Sequence, residues 1–277
     1  MTTNTNDILV LGATGKTGRR LVRRLREQGA SVRAASRSSA VRFDWTEPAT
    51  WEPAVAGAAA VYLIAPEEAE PVHDFVKQAA AAGVRRFVTL SGRGMDLVGE
   101  DFGRGMAAGE QAVRESGAEW TILRPNNFNQ NFSEDLWHQP LRDGRLALPI
   151  GDVPETFVDV DDVAEVAATV LTRDGHAGRV YELSGPRGLT FREATETIAR
   201  AAGRTIDYVE LTPEEYAADL RGLGIPEPFV KALGALFAFH REGHTSEPVD
   251  GVRQVLGREP LTFEAYVERA AKAGAWS

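Results

Sequence analysis

The stretch LVLGATGKTG, residues 9–18, constrains the fold more than any other part of this 277-residue chain. It carries the letters of two phosphate-binding devices. Read through Gly15, Lys16 and Thr17, it ends like the loop that grips a nucleoside triphosphate. That loop needs a glycine five positions before Gly15, and Val10 stands there inside an apolar run. Read through Gly12, Gly15 and Gly18, the same letters follow the strand-like run Asp7 to Leu11. They open a helix in which Leu21, Val22 and Leu25 recur at helical spacing until Gly29. Glycines at these places let the backbone turn at positive φ, bring N–H groups close to a pyrophosphate, and let the helix lie on its strand. The helix N-terminus adds partial positive charge toward the same anion. A βα unit built for a dinucleotide is therefore expected at the start of the chain.

The rest of the first half repeats the strand–helix alternation. Ser31 to Ser36 reads as a second strand and Val41 to Asp44 as a short third. VYLIAP (61–66), RFVTLSG (86–92) and EWTILRP (119–125) follow, separated by helical stretches over 72–82 and 105–116. Such alternation implies right-handed βαβ units, an α/β fold with a Rossmann-type doubly wound parallel sheet, and ligands outside the carboxyl ends of the strands. After about residue 126 the pattern changes. FVDVDDVAEVAATVL reads as a short strand leading into a helix, and RVYELSGP (179–186) as another strand. Helices are then expected over 190–202, 213–220, 226–241, 248–256 and 262–273. The expected organisation is a dinucleotide-binding domain over residues 1–150 and a smaller, mainly helical substrate lobe over 151–277. The lobe returns in part to the sheet, within one compact body.

Composition excludes several classes of chemistry. The chain has no cysteine, so disulfides, thiolate metal sites and cysteine nucleophiles are absent. MTTNTN is polar and no run of about 18 apolar residues occurs, so a cytoplasmic protein with no membrane association is expected. A net charge of −9 argues against a nucleic-acid partner, although Lys16 to Arg42 holds nine basic residues against one acid, Glu27. A small-molecule substrate and a monomer or homodimer fit this balance.

The end of the second strand selects the cofactor. Folds of this kind place an Asp or Glu there for a ribose 2′-hydroxyl, or an Arg for a 2′-phosphate. This chain has Ser36, Arg37, Ser38 and Ser39 and no acid, which suits a phosphate dianion and points to NADP(H).

LVLGATGKTG, SRS after the second strand, RFDW, RRFVTLSG, WTILRPNNF, FVDVDDVAEVA and YELSGPRGLTFREATETIARAAGR, taken in this order, resemble the NmrA-like branch of the atypical short-chain dehydrogenase/reductases. That branch includes NAD(P)H:quinone oxidoreductases, triphenylmethane reductase-like enzymes and redox-sensing regulators. The resemblance implies that the backbone of Gly12, Ala13, Thr14, Gly15, Lys16, Thr17 and Gly18 holds the pyrophosphate. It assigns Arg37 to the 2′-phosphate and Asp44 to the adenine. Ile64, Ala65 and Pro66 are then expected to line the ribose and nicotinamide, with Ser91, Pro125, Asn126, Asn127 and Phe128 beside the ring.

The wider superfamily uses a Tyr and a Lys four residues later to move a proton. Counting back from SGAEWTILRP, those positions fall on Phe102 and Met106, which keep the shape and delete the chemistry, and no tyrosine occurs between Tyr62 and Tyr181. The expected activity is an NADPH-dependent reductase of a small, apolar, conjugated acceptor such as a quinone or enone, which can take its proton from water. The alternatives are a nucleotide-state sensor acting through a protein partner, or a non-redox cyclase or isomerase on the same scaffold. Ser91 and Asn127 are the candidate catalytic residues, with Asn126, Asn129 and Asn131 as further hydrogen-bonding groups. Phe102, Met106, Asn127, Phe128, Trp137 and His138 are the candidate substrate pocket. His240 and His244 share a helix face but lack a third ligand, so no metal is expected. Asp159, Asp161 and Asp162 open a helix, where acids cap free N–H groups.

Overall fold

The computed structural model describes residues 7–97 and 102–277. Its strands are β1 (Asp7–Leu11), β2 (Val32–Ser36), β3 (Val41–Arg42), β4 (Ala58–Ile64), β5 (Arg86–Leu90), β6 (Glu119–Pro125), β7 (Arg145–Leu148), β8 (Arg179–Leu183) and β9 (Asp207–Glu210). The helices of the first half are α1 (Lys16–Glu27), α2 (Trp51–Val55), α3 (Glu70–Ala81), α4 (Arg104–Glu115), α5 (Asn131–Glu134) and α6 (His138–Arg142). Those of the second are α7 (Val160–Thr172), α8 (Phe191–Ala202), α9 (Pro213–Gly222), α10 (Glu227–Arg241), α11 (Gly251–Leu256) and α12 (Phe263–Lys272).

Seven strands form one sheet in the order β3-β2-β1-β4-β5-β6-β8, with every pairing parallel. The strand order reverses between β1 and β4, which opens a crevice at their carboxyl ends. Period-two alternation explains both layers of core. Ile8, Val10, Ala60, Tyr62 and Val88 face α1 and α7, while Leu9, Leu11, Val61, Leu63 and Phe87 face α2, α3 and α4. A third apolar cluster, around Phe132, Phe157, Phe191, Phe237, Phe263 and Trp276, builds the second lobe. The chain crosses between the layers more than once. Phe132, Trp137 and Leu141 join the lobe, while α7 packs on α1 and β8 extends the sheet.

Three local expectations change. The FVDV segment is no strand, contributing only a bridge from Val158 to Phe128. The helix expected from residue 248 begins at Gly251, because Val249 N–H donates to Ser184 Oγ (2.9 Å) and Asp250 bridges Leu183, which holds this segment against the sheet edge. A second, two-stranded parallel sheet joins β7 to β9, and neither strand stands out in the sequence.

Candidate active site

A groove of about 620 Å³ lies over the carboxyl ends of β1, β2 and β4. The turn after β1 forms its floor. Gly12 adopts φ +61°, and its carbonyl accepts the Gly15 N–H at 2.8 Å. A side chain on Gly18 would meet the Gly12 carbonyl oxygen at 2.2 Å, so only glycine lets α1 pass this close to the turn. Gly12, Thr14, Gly15, Lys16 and Thr17 line the groove. Ala13 does not reach it: its N–H is engaged by the Ala35 carbonyl (3.1 Å) and its side chain is buried. Gly18 serves close packing rather than ligand contact. No side chain caps α1, and no acid sits in its first turn. The first-turn amides are thus left for an anion, and this cradle fits a pyrophosphate.

At the far end of the groove stand Ser36, Arg37 and Ser38. Arg37 is exposed and has no hydrogen bond or ion pair among the described residues. Asp44 accepts the N–H (3.0 Å) and hydroxyl (2.8 Å) of Thr46. These bonds, followed by the charges of Arg37 and Arg42, hold its carboxyl below the ordinary carboxylate range, so it faces the groove as an acceptor. Ile64, Ala65 and Pro66 complete the wall. Replacing Arg37 by alanine is expected to weaken NADPH binding about 10- to 100-fold, the loss of one or two charge-assisted hydrogen bonds, while NADH binding stays within about 2-fold. Calorimetric titration with both nucleotides checks this, and equal losses for the two would remove Arg37 from the phosphate.

A second groove of about 360 Å³ adjoins the first and shares Lys16 and Phe128 with it. Its lining is mainly apolar: Phe102, Met106, Met95, Leu136, Leu236 and Phe239. Gly105 lets α4 lie against the loop after β4, since a Cβ there would fall 1.6 Å from the Pro66 carbonyl oxygen. Ser91, Pro125, Asn126, Asn127 and His240 are the polar and backbone-exposing parts of the wall.

Beneath Ser91 lies a buried ionic network. Glu110, 3% exposed, accepts Ser91 Oγ and Arg124 Nε, each at 2.7 Å. Arg124 also donates to the other Glu110 oxygen (2.7 Å) and to Asp96. Burial alone would raise the Glu110 carboxyl. The hydrogen bonds from Arg124 and Ser91 outweigh it and hold the group below its ordinary value, while the Arg124 guanidinium is pushed upward by its bonds to Glu110 and Asp96.

The sequence pattern of the NAD(P)H-binding family matches residues 12–174, more than half of the chain. The chain belongs to this NAD(P)H-binding family. Among its relatives is the NAD(P)H azoreductase of Xenophilus azovorans, 31% identical over 96% of this chain and 98% of that protein. Another is the (4-alkanoyl-5-oxo-2,5-dihydrofuran-3-yl)methyl phosphate reductase of Streptomyces griseus, 34% identical over 96% of this chain and 98% of that protein. In fold it is similar to the Citrobacter sp. triphenylmethane reductase crystallised with NADP(H), with a TM-score of 0.77, 22% identity, and coverage of 95% of this chain and 99% of that one. The resemblance read from the sequence thus holds for the family and for the fold.

Within this NAD(P)H-binding chain several expected site residues sit elsewhere or are already engaged. Trp137 does not face the substrate groove. It is 2% exposed, with ring centroids 4.7 Å from Phe132 and from Phe191, and Leu136 takes the groove position. His138 turns away as well, with Nε2 2.7 Å from the Ala275 carbonyl. Ser91 lines the groove, but its proton is directed at an ionised Glu110, so it offers a substrate only lone pairs. Asn126 donates to Thr156 Oγ1 (2.6 Å) and to the Thr245 carbonyl (3.1 Å), and Asn131 accepts from Lys16 Nζ (2.6 Å). Asn129 is fully buried. Asn127 keeps its side chain at the groove wall, with Nδ2 3.0 Å from His240 Nε2. Asp159 caps α7, accepting the Asp161 N–H at 2.9 Å, and Asp162 accepts the Leu261 N–H at 2.7 Å. No helix among the described residues is long and apolar enough to cross a membrane.

Sequence reasoning weighed His240 only as a metal ligand and passed over Arg93, Met95, Leu236, Phe239 and Thr245 as groove residues; all six line the second groove. The only signal for His240 was its place on a helix otherwise rich in Phe and Leu.

Proposed function

We propose that this NAD(P)H-dependent oxidoreductase uses NADPH to reduce a small, apolar, conjugated acceptor, a quinone, an enone or a related dye, without a Tyr–Lys relay. One observation carries the reading: Phe102 and Met106, the residues that the sequence count sets at the superfamily's Tyr and Lys positions, line the groove that adjoins the cofactor cradle. An isolated ketone needs such a pair because the alkoxide it forms is strongly basic. A conjugated acceptor spreads the incoming electron pair and asks mainly for position. When bound, the nicotinamide supplies the hydride. The chain's own groups bind and orient: the turn after β1 for the phosphates, Arg37 for the 2′-phosphate, and the Phe102, Met106 and Phe239 surfaces for the acceptor. The azoreductase and oxo-dihydrofuran phosphate reductase among the relatives agree with such an acceptor class.

The test is stopped-flow NADPH oxidation against quinones, enones, azo dyes and saturated ketones. Turnover is expected with the conjugated acceptors and none with saturated ketones. Tight NADPH binding with no acceptor reduced would sink the reading.

A further inference from the structure

His240 stands at the junction of three observations that the proposed hydride transfer does not use. Its side chain is 6% exposed, yet it lines the acceptor groove from α10. Its Nδ1 lies 2.9 Å from Oε2 of Glu155, whose side chain is 2% exposed. Its Nε2 lies 3.0 Å from the Asn127 amide at the groove wall.

Glu155 is held rigidly. Its N–H donates to the Leu189 carbonyl (2.8 Å) and its carbonyl accepts the Leu189 N–H (3.0 Å), while Thr245 Oγ1 reaches Oε2 at 3.3 Å. Among the described residues Glu155 Oε1 has no hydrogen-bond partner, and His240 Nδ1 has none beyond its 2.9 Å approach to Glu155 Oε2, which is not aligned as a hydrogen bond. A carboxylate buried this deeply is costly unless an N–H faces it, and the imidazole is the group placed to supply one. The proton therefore belongs on Nδ1, and Nε2 is the nitrogen free to work. Asn127 suits both states of Nε2: its amide N–H donates to a lone pair, and its oxygen, after a turn of the amide, accepts from N–H.

The other proton-bearing side chains that line the groove are already engaged by protein partners. The Ser91 proton is directed at Glu110. Lys16 Nζ is engaged by Asn131 and by Asp135 (2.5 Å). Arg93 donates to the carbonyls of Thr245 (3.1 Å) and Glu247 (2.7 Å) and pairs with Glu182 at 3.4 Å. Of the charged groups near His240 in sequence, Arg241 donates to the Pro149 carbonyl, and His244 pairs with Glu242 on the exposed side.

We propose that His240, backed by Glu155 and steadied by Asn127, is the proton donor to the reduced acceptor, a role that rests on the reductase reading above. In the balanced step, an enone accepts hydride from NAD(P)H at its electrophilic carbon and the displaced π pair moves onto the carbonyl oxygen. The imidazolium Nε2–H bond breaks and an O–H bond forms there. The neutral imidazole then regains its proton from solvent.

Two measurements test it. In His240→Gln, enone reduction is expected to fall about 100-fold, as for loss of a general acid, while quinone reduction, whose anion is far less basic, falls less than about 10-fold. The ratio between acceptors is independent of the fraction of folded protein, so poor folding cannot imitate the result. Separately, ¹⁵N spectra of histidine-labelled, cofactor-free protein are expected to show neutral His240 as the Nδ1–H tautomer, and Glu155→Gln to mix the two tautomers. An enone-to-quinone ratio unchanged in His240→Gln, or a pure Nε2–H tautomer in the parent, overturns the donor role alone. A parent protein that reduces no acceptor overturns the reductase reading together with it.

Discussion

Gly18→Ala is expected to raise the NADPH dissociation constant by 100-fold or more, roughly the loss of two or three hydrogen bonds to charged phosphate oxygens. The added Cβ would lie 2.2 Å from the Gly12 oxygen, 2.8 Å from the Gly12 carbon and 3.0 Å from Ala13 Cα. All three are backbone atoms, so no rotamer relieves the clash. Gly12 cannot retreat, because Ile64 Cδ1 stands only 3.0 Å from where its own Cβ would be and its carbonyl is tied to Gly15. Either the turn opens or α1 lifts from β1, and lifting exposes Leu21, Val22 and Leu25. Overpacking of this kind costs about 1–3 kcal/mol of stability. Fluorescence titration with NADPH and a thermal melt read the two effects. Parental affinity in a folded Gly18→Ala protein would mean that this turn is not the phosphate seat.

Arg124→Leu should be strongly destabilising, by about 3 kcal/mol at neutral pH, because it takes from the buried carboxylate of Glu110 its two-pronged partner and leaves only Arg114, at 3.0 Å, and the Ser91 hydroxyl. Its pH dependence has a definite sign. In the parent, Glu110 is held below its ordinary value of 4.5, so its contribution is fully present above that pH and is lost as pH falls through the lowered value. In the variant the same carboxyl keeps its burial and retains only Arg114 and Ser91, so it takes up its proton at a higher pH than in the parent. Protonation then relieves it, and the stability gap between parent and variant narrows as pH falls from the variant's value through the parent's lowered one. Urea unfolding at pH 7 and pH 4 measures this. Adding Glu110→Leu to Arg124→Leu should recover much of the loss, since the stranded charge is then gone. A gap that widens on acidification would show that Glu110 is not the group responsible.

The parts of the fold legible in the sequence are those imposed by backbone geometry or by periodicity. The turn at Gly12, Gly15 and Gly18 admits few other residues, and the alternation that faces Leu9 and Val10 to opposite layers follows from the strand repeat. Strands β7 and β9 were not legible, because four-residue runs such as RLAL and DYVE hold no more than two periods. The late start of α11 was hidden for another reason: Ser184, far away in sequence, holds Val249. The groove shows the same contrast. Arg37 is positioned by its distance from β2, Asp44 and Phe102 by the family resemblance, and the structure sets all three at the grooves. Trp137 was misplaced because one residue of phase in a short helical turn decides between groove and core. The Glu155–His240 contact joins residues 85 positions apart, and no spacing rule announces it.

Lys16 borders both grooves, with its ammonium on Asn131 and Asp135 beside the acceptor and its backbone in the phosphate cradle. Any preference of that ammonium for a bound phosphate must loosen its hold on Asn131 and Asp135, and any acceptor that fixes those two groups changes what the phosphate finds. The two ligands therefore share one movable charge, and by linkage the free energy with which either alters the other's affinity is the same in both directions.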